Sequence, residues 1–212
     1  MSVKFPVAIL IFVLMNSCFI KPRNQSSTAS NSYEKESTVD RPVDRGKAGQ
    51  TINPNRFDDA LLEVLVHEEI NRLRSKKRRA TLENDNCLRK AAMMQNDYVM
   101  RLGKLSHNQR SKERKGVMER SRVFGCTHLM VGENLQFMGF TLVKQNGKLI
   151  DIETPTYAQA ARDIAENWKN SPSHYDNLIH KSFFRVGTVV AYDSRKKGIY
   201  ATQVFGAVPP SE

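Results

Sequence analysis

The sequence predicts an α+β domain, because helical patterns fill its first part and strand patterns fill its end. Three segments place apolar residues at the three- and four-residue spacing of an amphipathic helix, and two segments near the end, residues 186–192 and 200–204, alternate apolar with polar side chains. Helices that precede strands favour a layer of helices packed on an antiparallel sheet. Residues 55–208 are numerous enough for one domain with a single core.

Three helices are predicted. The first runs from Phe57 to Lys76 and the second from Asp85 to Leu102. Gly103 ends the second helix, where a left-handed residue is favoured. The third helix opens at Thr154-Pro155, since proline suits a first helical turn, and it buries Trp168.

Two hairpins are predicted after the second helix. Val186–Tyr192 and Tyr200–Val204 alternate apolar with polar residues on either side of a polar turn, Asp193–Gly198. A smaller hairpin covers Val143–Ile150, because Asn146-Gly147 at its middle is a favoured two-residue turn.

The amino terminus, residues 1–18, has the pattern of a signal peptide. Lys4 precedes an apolar run from Phe5 to Met15, and small or polar residues follow it. Cys18 is placed as in a bacterial lipoprotein, where the cysteine thiol is lipidated. Met15 stands where leucine is usual, so an ordinary secretory signal with an incidental cysteine is the alternative. We therefore expect a secreted or cell-envelope protein.

Residues 19–54 are predicted to be a disordered linker. Ser, Thr, Asn, Lys and Glu dominate this segment, and large apolar residues are nearly absent. Such a chain cannot bury enough surface to offset its ordering entropy. The linker would hold the domain of residues 55–208 at a distance from a membrane.

The formal net charge of +11 raises the question of a nucleic-acid partner. Basic residues cluster at Arg72–Arg79 and Arg110–Arg122, which the sequence places in polar connecting regions. Neither cluster is interleaved with aromatic residues, and an exported protein rarely meets nucleic acid. We expect no nucleic-acid partner, and a weak contact with an anionic envelope surface is the alternative.

Cys87 and Cys126 are the cysteines that remain after the signal peptide. An even pair in an oxidising compartment predicts one disulfide bond, and two free thiols are the alternative. The bond would tie a helix to a turn at Gly132-Glu133-Asn134.

His107, Glu133 and His174 are the candidate site. They come from three separate segments, each beside residues that bend or cap the backbone. Two imidazole nitrogens and a carboxylate oxygen are ligands that zinc and similar divalent metals accept.

The chain resembles the CAP superfamily, which contains the cysteine-rich secretory, antigen 5 and pathogenesis-related 1 proteins, in its bacterial SCP-like form. The resemblance covers nearly all of residues 55–206. It rests on six motifs in the family's order: Asn71-Arg72-Leu73-Arg74, Leu88 with Ala91 or Ala92, Leu105-Ser106-His107, Gly132-Glu133-Asn134-Leu135, Trp168–Asn177, and the closing strands Phe184–Gly187 and Tyr200–Gly206.

The resemblance implies an α-β-α sandwich with a central cleft, in which His107, Glu133 and His174 hold a divalent metal such as Zn²⁺. Ser171 stands where eukaryotic members have a second glutamate, and Glu166 is predicted to face away from Trp168. The metal set is therefore a triad at most. Glu133 is equally well explained as a structural residue that bonds backbone amides.

Two functions stay open. The first is a non-enzymatic module that binds a small-molecule, lipid or protein ligand in the cleft. The second is a metal-dependent hydrolase, a peptidase or an esterase, that uses the same residues. We favour the first, because a glutamate that binds the metal cannot also act as general base and no second cleft carboxylate is evident.

Overall fold

The computed structural model describes residues 42–207, which form an α+β domain. Its helices are α1 (Asp59–Lys76), α2 (Asn86–Leu102), α3 (Val117–Val123), α4 (Tyr157–Lys169) and α5 (Pro172–Ile179). Its strands are β1 (Glu83–Asn84), β2 (Val131–Gly139), β3 (Thr141–Gln145), β4 (Lys148–Glu153), β5 (Phe183–Asp193) and β6 (Gly198–Ala207). The predicted signal peptide and Cys18 lie outside the described residues, as does most of the linker.

The main sheet has the strand order β1-β5-β6-β2. Strands β5, β6 and β2 are antiparallel, whereas the two-residue β1 pairs with β5 in parallel. The predicted antiparallel sheet is thus slightly mixed, because the chain between α1 and α2 adds two residues along β5.

Helices cover both faces of this sheet. Val186 and Val190 of β5 point into a core that includes Trp168 of α4 and residues of α1 and α5. Val189, of opposite parity on the same strand, packs instead on Leu88 of α2. The alternation of β5 therefore divides the core into two layers and produces the predicted α-β-α sandwich.

The first two predicted helices are present to within two residues. The Asp58 and Asp85 side chains cap them by accepting hydrogen bonds from Leu61 N and Leu88 N. Gly103 ends α2 with a φ of 66°. The third predicted helix begins later than expected, at Tyr157, because Thr156 caps it.

Gly132-Glu133-Asn134 is part of a strand, so the predicted turn at these residues is wrong. Strand β2 pairs with β6 without interruption from Val131 to Gly139. Its polar side chains are used in the interior: Asn134 donates to the carbonyl of His174, and Gln136 donates to that of Ile164. The strand therefore lacks the apolar alternation that would have predicted it.

The smaller predicted hairpin is present and extends over β3 and β4. Asn146 and Gly147 connect the strands with φ values of 50° and 75°. Both values lie in the left-handed region that a type I′ turn requires.

Residues 42–54, which the sequence assigned to the linker, pack against the domain. Ile52 is only 2% exposed and lies in the main core. Its N–H donates to the carbonyl of Pro155, and its carbonyl accepts a hydrogen bond from Thr154 Oγ1. Ile52 and the partly buried Val43 therefore attach a segment of otherwise polar composition to the core.

Cys87 and Cys126 form the predicted disulfide bond, with their Cα atoms 5.7 Å apart. The bond joins the first turn of α2 to the loop between α3 and β2. A closed loop of this size stabilises the fold by about 4 kcal/mol through the entropy of the unfolded chain.

Arg74, in the first basic cluster, is fully buried rather than part of a polar connecting region. Its guanidinium donates to the carbonyls of Leu178, Phe183 and His180 at 2.8, 2.8 and 3.2 Å, and to that of Ala80 at 2.7 Å. The side chain thus joins the end of α1 to the chain between α5 and β5.

We predict that Arg74→Met lowers the free energy of unfolding by about 4 kcal/mol, because several buried carbonyls lose their donor. Urea unfolding followed by circular dichroism measures this loss. Arg72→Met is the matched control, since Arg72 pairs with Glu69 at the surface of the same helix and an exposed pair contributes about 1 kcal/mol or less. Equal losses in the two variants would contradict the assigned role of Arg74.

Candidate functional site

The candidate residues lie on elements that converge at the β2 edge of the main sheet. Glu133 lies on β2, His107 lies in the loop that follows α2, and His174 lies in the first turn of α5. The His107 loop comes from one face of the sheet and α5 from the other, so the edge strand is the element common to both.

Glu133 and His107 are in direct contact. His107 Nδ1 lies 2.9 Å from Glu133 Oε1, the distance of a hydrogen bond to the carboxylate. The Glu133 side chain is 3% exposed and the His107 side chain is 56% exposed. The carboxylate is therefore buried behind the imidazole ring, and the opposite side of the ring is left open.

Arg120 holds the second oxygen of Glu133. Its Nη2 atom donates to Glu133 Oε2 at 2.5 Å, and the arginine side chain is completely buried. Its Nη1 atom donates to the carbonyls of His107, Arg114 and Lys115 at 3.0–3.2 Å. Its Nε atom has no hydrogen-bond partner within residues 42–207. Arg120 thus neutralises Glu133 and also holds the backbone of His107.

The sequence did not identify Arg120, because the residue lies in a run of basic side chains. The structure places the run partly on α3, where Arg120 and Ser121 form the buried face. Val117, three residues before Arg120, packs on the α2 core. This helical spacing is the signal that could have separated Arg120 from its exposed neighbours.

Two glutamines fix the loop that carries His107. Gln95 of α2 is fully buried and donates to the carbonyl of Ser106. Gln109 donates to Gln95 Oε1 at 2.9 Å. The loop is therefore tied to α2 on both sides of His107.

His174 lies across the strand edge from His107. Burial lowers the pKa of His174, and the nearby charge of His107 lowers it further. The His174 carbonyl accepts a hydrogen bond from Asn134, and Asn177 donates to Asn134 Oδ1 at 2.9 Å. The two asparagines thus join α5 to β2.

The three predicted ligands do not form a three-coordinate metal site as they stand. Within residues 42–207, no group of three His, Cys, Asp or Glu side chains is arranged to hold a metal ion. Both oxygens of Glu133 are already bonded, to Arg120 and to His107. The donors that remain are the imidazoles of His107 and His174, and metal binding by this pair stays a prediction.

The other polar candidates lie elsewhere. Glu166 faces away from Trp168, as predicted, and pairs with Lys169 at the surface. His67 is bonded to Asn71 on α1, and burial lowers its pKa. His128 is mostly buried beside Asp85.

We predict that Glu133→Gln lowers the free energy of unfolding by about 3 kcal/mol, because it leaves the buried Arg120 without a counter-charge. Urea unfolding at pH 7 measures the effect. Glu166→Gln, which removes an exposed charge, serves as control and should cost less than about 1 kcal/mol. If Glu133→Gln is as stable as this control, Arg120 does not depend on the carboxylate.

We predict that the His174 ring titrates below its ordinary pKa of about 6.5, and that His107→Gln moves this pKa upward. The substitution removes the repulsion from His107 and leaves the effect of burial. Because the folded state binds its proton less readily than the unfolded chain, the His174 contribution destabilises the fold as pH falls below about 6.5. NMR titration of the ring measures both pKa values, and an unchanged value in His107→Gln would show that the two rings do not interact.

Comparisons with known proteins agree with this architecture. The cysteine-rich secretory protein family (CAP) matches residues 67–205. An outer surface protein from Borrelia burgdorferi aligns with 76% of this chain and 99% of its own, at 19% identity and a TM-score of 0.56. An extracellular protein containing an SCP domain, from Bacillus anthracis str. Ames, aligns with 79% of this chain at 18% identity and a TM-score of 0.52, and the match covers 45% of that longer chain.

At these identities, the solved structures establish similarity of fold alone. No curated protein sequence matches the chain significantly. The family match covers more than half of the chain and includes His107, Arg120, Glu133 and His174. The chain therefore belongs to the CAP family of cysteine-rich secretory proteins.

Proposed function

We propose that this protein is an exported or envelope-anchored CAP-domain protein that binds a ligand or partner through the cleft of His107, Glu133 and His174, without catalysing a reaction. The observation that carries the proposal is the hydrogen-bonded state of Glu133. Its two oxygens are bonded to Arg120 and His107, and its side chain is almost completely buried.

This arrangement suits recognition better than hydrolysis. A general base needs a carboxylate oxygen within reach of the proton it removes. Glu133 is instead neutralised by a buried cation and turned away from solvent. The exposed part of the site is the far side of the His107 ring, which can donate or accept a hydrogen bond or bind a metal ion.

A divalent metal is the ligand class that the two imidazoles support best. Histidines that bind metals commonly donate their other ring N–H to a carboxylate, as His107 can to Glu133. The lowered pKa of His174 keeps its ring neutral near pH 7, the state in which imidazole binds metal. Zn²⁺ would therefore be held by His107 and His174, with Glu133 orienting His107 from outside the coordination shell.

Export is supported by two kinds of observation. The disulfide bond between Cys87 and Cys126 is typical of proteins outside the reducing cytosol. The two similar folds described above belong to an outer surface protein and an extracellular protein. Within residues 42–207, no helix has the length and apolar character needed to cross a bilayer. Attachment by lipidation of Cys18 is part of the proposal.

Calorimetric titration with Zn²⁺ tests the cleft. We predict that wild type binds Zn²⁺ and that His107→Gln and His174→Gln each weaken binding at least tenfold, while His180→Gln, a partly buried residue just after α5, does not. Glu133 variants are avoided, because their loss of stability would confuse the result. Equal affinity in all four proteins would remove the metal from the proposal.

The same proteins distinguish a binding module from a hydrolase. With peptide and ester substrates, we expect no Zn²⁺-stimulated turnover by wild type. Turnover that appears with Zn²⁺ and disappears in His107→Gln, with the fold intact by circular dichroism, would replace the binding proposal with the hydrolase.

A further inference from the structure

We propose that the hairpin of β3 and β4, residues 141–153, docks on the surface of an anionic phospholipid bilayer. This contact involves neither His107 nor His174, and it does not depend on the function proposed for the cleft.

The hairpin exposes three large apolar side chains close together. Leu142, Leu149 and Ile150 are 41%, 45% and 59% exposed. Leu142 pairs with Ile152 and Lys144 pairs with Leu149, so Leu142 and Leu149 lie on one face of the ribbon. Ile150 is the unpaired residue at a register shift between the two strands. An exposed apolar cluster of this kind marks an interaction surface.

Toward the tip of the hairpin, the apolar face is covered by neither sheet of the described residues, whereas Ile152 on the same face packs on the main core near the base. Strands β3 and β4 pair only with each other, and the four-stranded sheet contains neither. The hairpin joins the main core only near its base, through Phe140 and Ile152. An isolated two-stranded hairpin is marginally stable in water, so a second surface on its open face would stabilise it.

The charges of the hairpin favour an anionic surface as its partner. Lys144 and Lys148 flank the turn, whereas the acidic residues Asp151 and Glu153 lie toward the base. Residues 141–150 contain no acidic side chain, so the projecting end is purely cationic. Lipid phosphates attract lysines near a bilayer, and the net charge of +11 adds to this attraction at longer range.

A lipid surface suits exposed apolar residues beside lysines better than a nucleic acid does. Lysine can place its ammonium group at the headgroups while its stem lies beside leucine in the apolar boundary, as the Lys144–Leu149 pair requires. Single-stranded nucleic acid would call for aromatic side chains, and residues 141–153 contain none.

Tryptophan fluorescence of the full chain tests the proposal. The chain has a single tryptophan, Trp168, which is fully buried and reports on the fold. Ile150→Trp adds a probe to the hairpin, and vesicles with brominated acyl chains quench only tryptophans that enter the bilayer. With phosphatidylglycerol vesicles, we expect a blue shift and at least twofold quenching of the added emission. With phosphatidylcholine vesicles, we expect neither.

Leu129→Trp is the matched control. Leu129 is 68% exposed, and it precedes β2, whereas the hairpin follows that strand. The nine residues of β2 span about 30 Å, and the two sites lie beyond opposite ends of that strand. A probe at residue 129 should stay unquenched, even where the amino-terminal apolar segment binds the same vesicles.

Reversal of the two lysine charges of the hairpin provides a second test. Lys144→Glu with Lys148→Glu, in the Ile150→Trp chain, should reduce partition of the hairpin onto phosphatidylglycerol about tenfold or more. Circular dichroism and the emission of Trp168 verify folding. Equal quenching at residues 129 and 150, or equal quenching on neutral vesicles, would overturn the proposal. Vesicle binding without quenching at residue 150 would also overturn it and leave the hairpin to a protein partner.

Discussion

The buried ion pair between Arg120 and Glu133 is the interaction on which the arrangement of the candidate site depends. Transfer of two charges from water into a protein costs several kcal/mol per ion, and a pair repays this cost only when further hydrogen bonds satisfy its donors and acceptors. Arg120 donates to three carbonyls in addition to Glu133, and Glu133 also accepts from His107. The pair therefore connects α3, the His107 loop and the edge strand β2.

This connection gives the Glu133 carboxylate a structural role that needs neither catalysis nor metal binding. Arg120 fixes the carboxylate, the carboxylate fixes one nitrogen of His107, and the ring then presents its other nitrogen to solvent. His174 lies on α5, and burial together with the charge of His107 lowers the pKa of its ring. The site consists of two imidazoles on a rigid polar base.

Much of the fold could be predicted from the sequence, because apolar periodicity and turn residues are local signals. The spacing of α1 and α2, Gly103, and Asn146-Gly147 each report the conformation of their own segment. Strand β2 could not be predicted, since its Asn134 and Gln136 are buried by hydrogen bonds to distant helices. Ile52 was missed for a similar reason: its partners lie about a hundred residues away.

Of the candidate site, the residue types were predictable and their roles were not. His107, Glu133 and His174 were identified from their motifs, and the structure brings His107 and Glu133 into contact. Arg120 and Arg74 were not distinguished from the exposed basic residues around them. Their burial depends on carbonyl and carboxylate acceptors that lie elsewhere in the chain. The ion pair between Glu63 of α1 and Arg89 of α2 is also buried. The sequence did not predict it, because both helices were identified from the spacing of their apolar residues.

The protonation of the His107 ring tests the central claim most directly. Nitrogen-15 chemical shifts of the neutral imidazole distinguish the proton on Nδ1 from the proton on Nε2. If Arg120 holds Glu133 as an acceptor for His107, the neutral ring carries its proton on Nδ1 and leaves Nε2 free. A neutral ring protonated on Nε2, with Nδ1 free, would contradict the account.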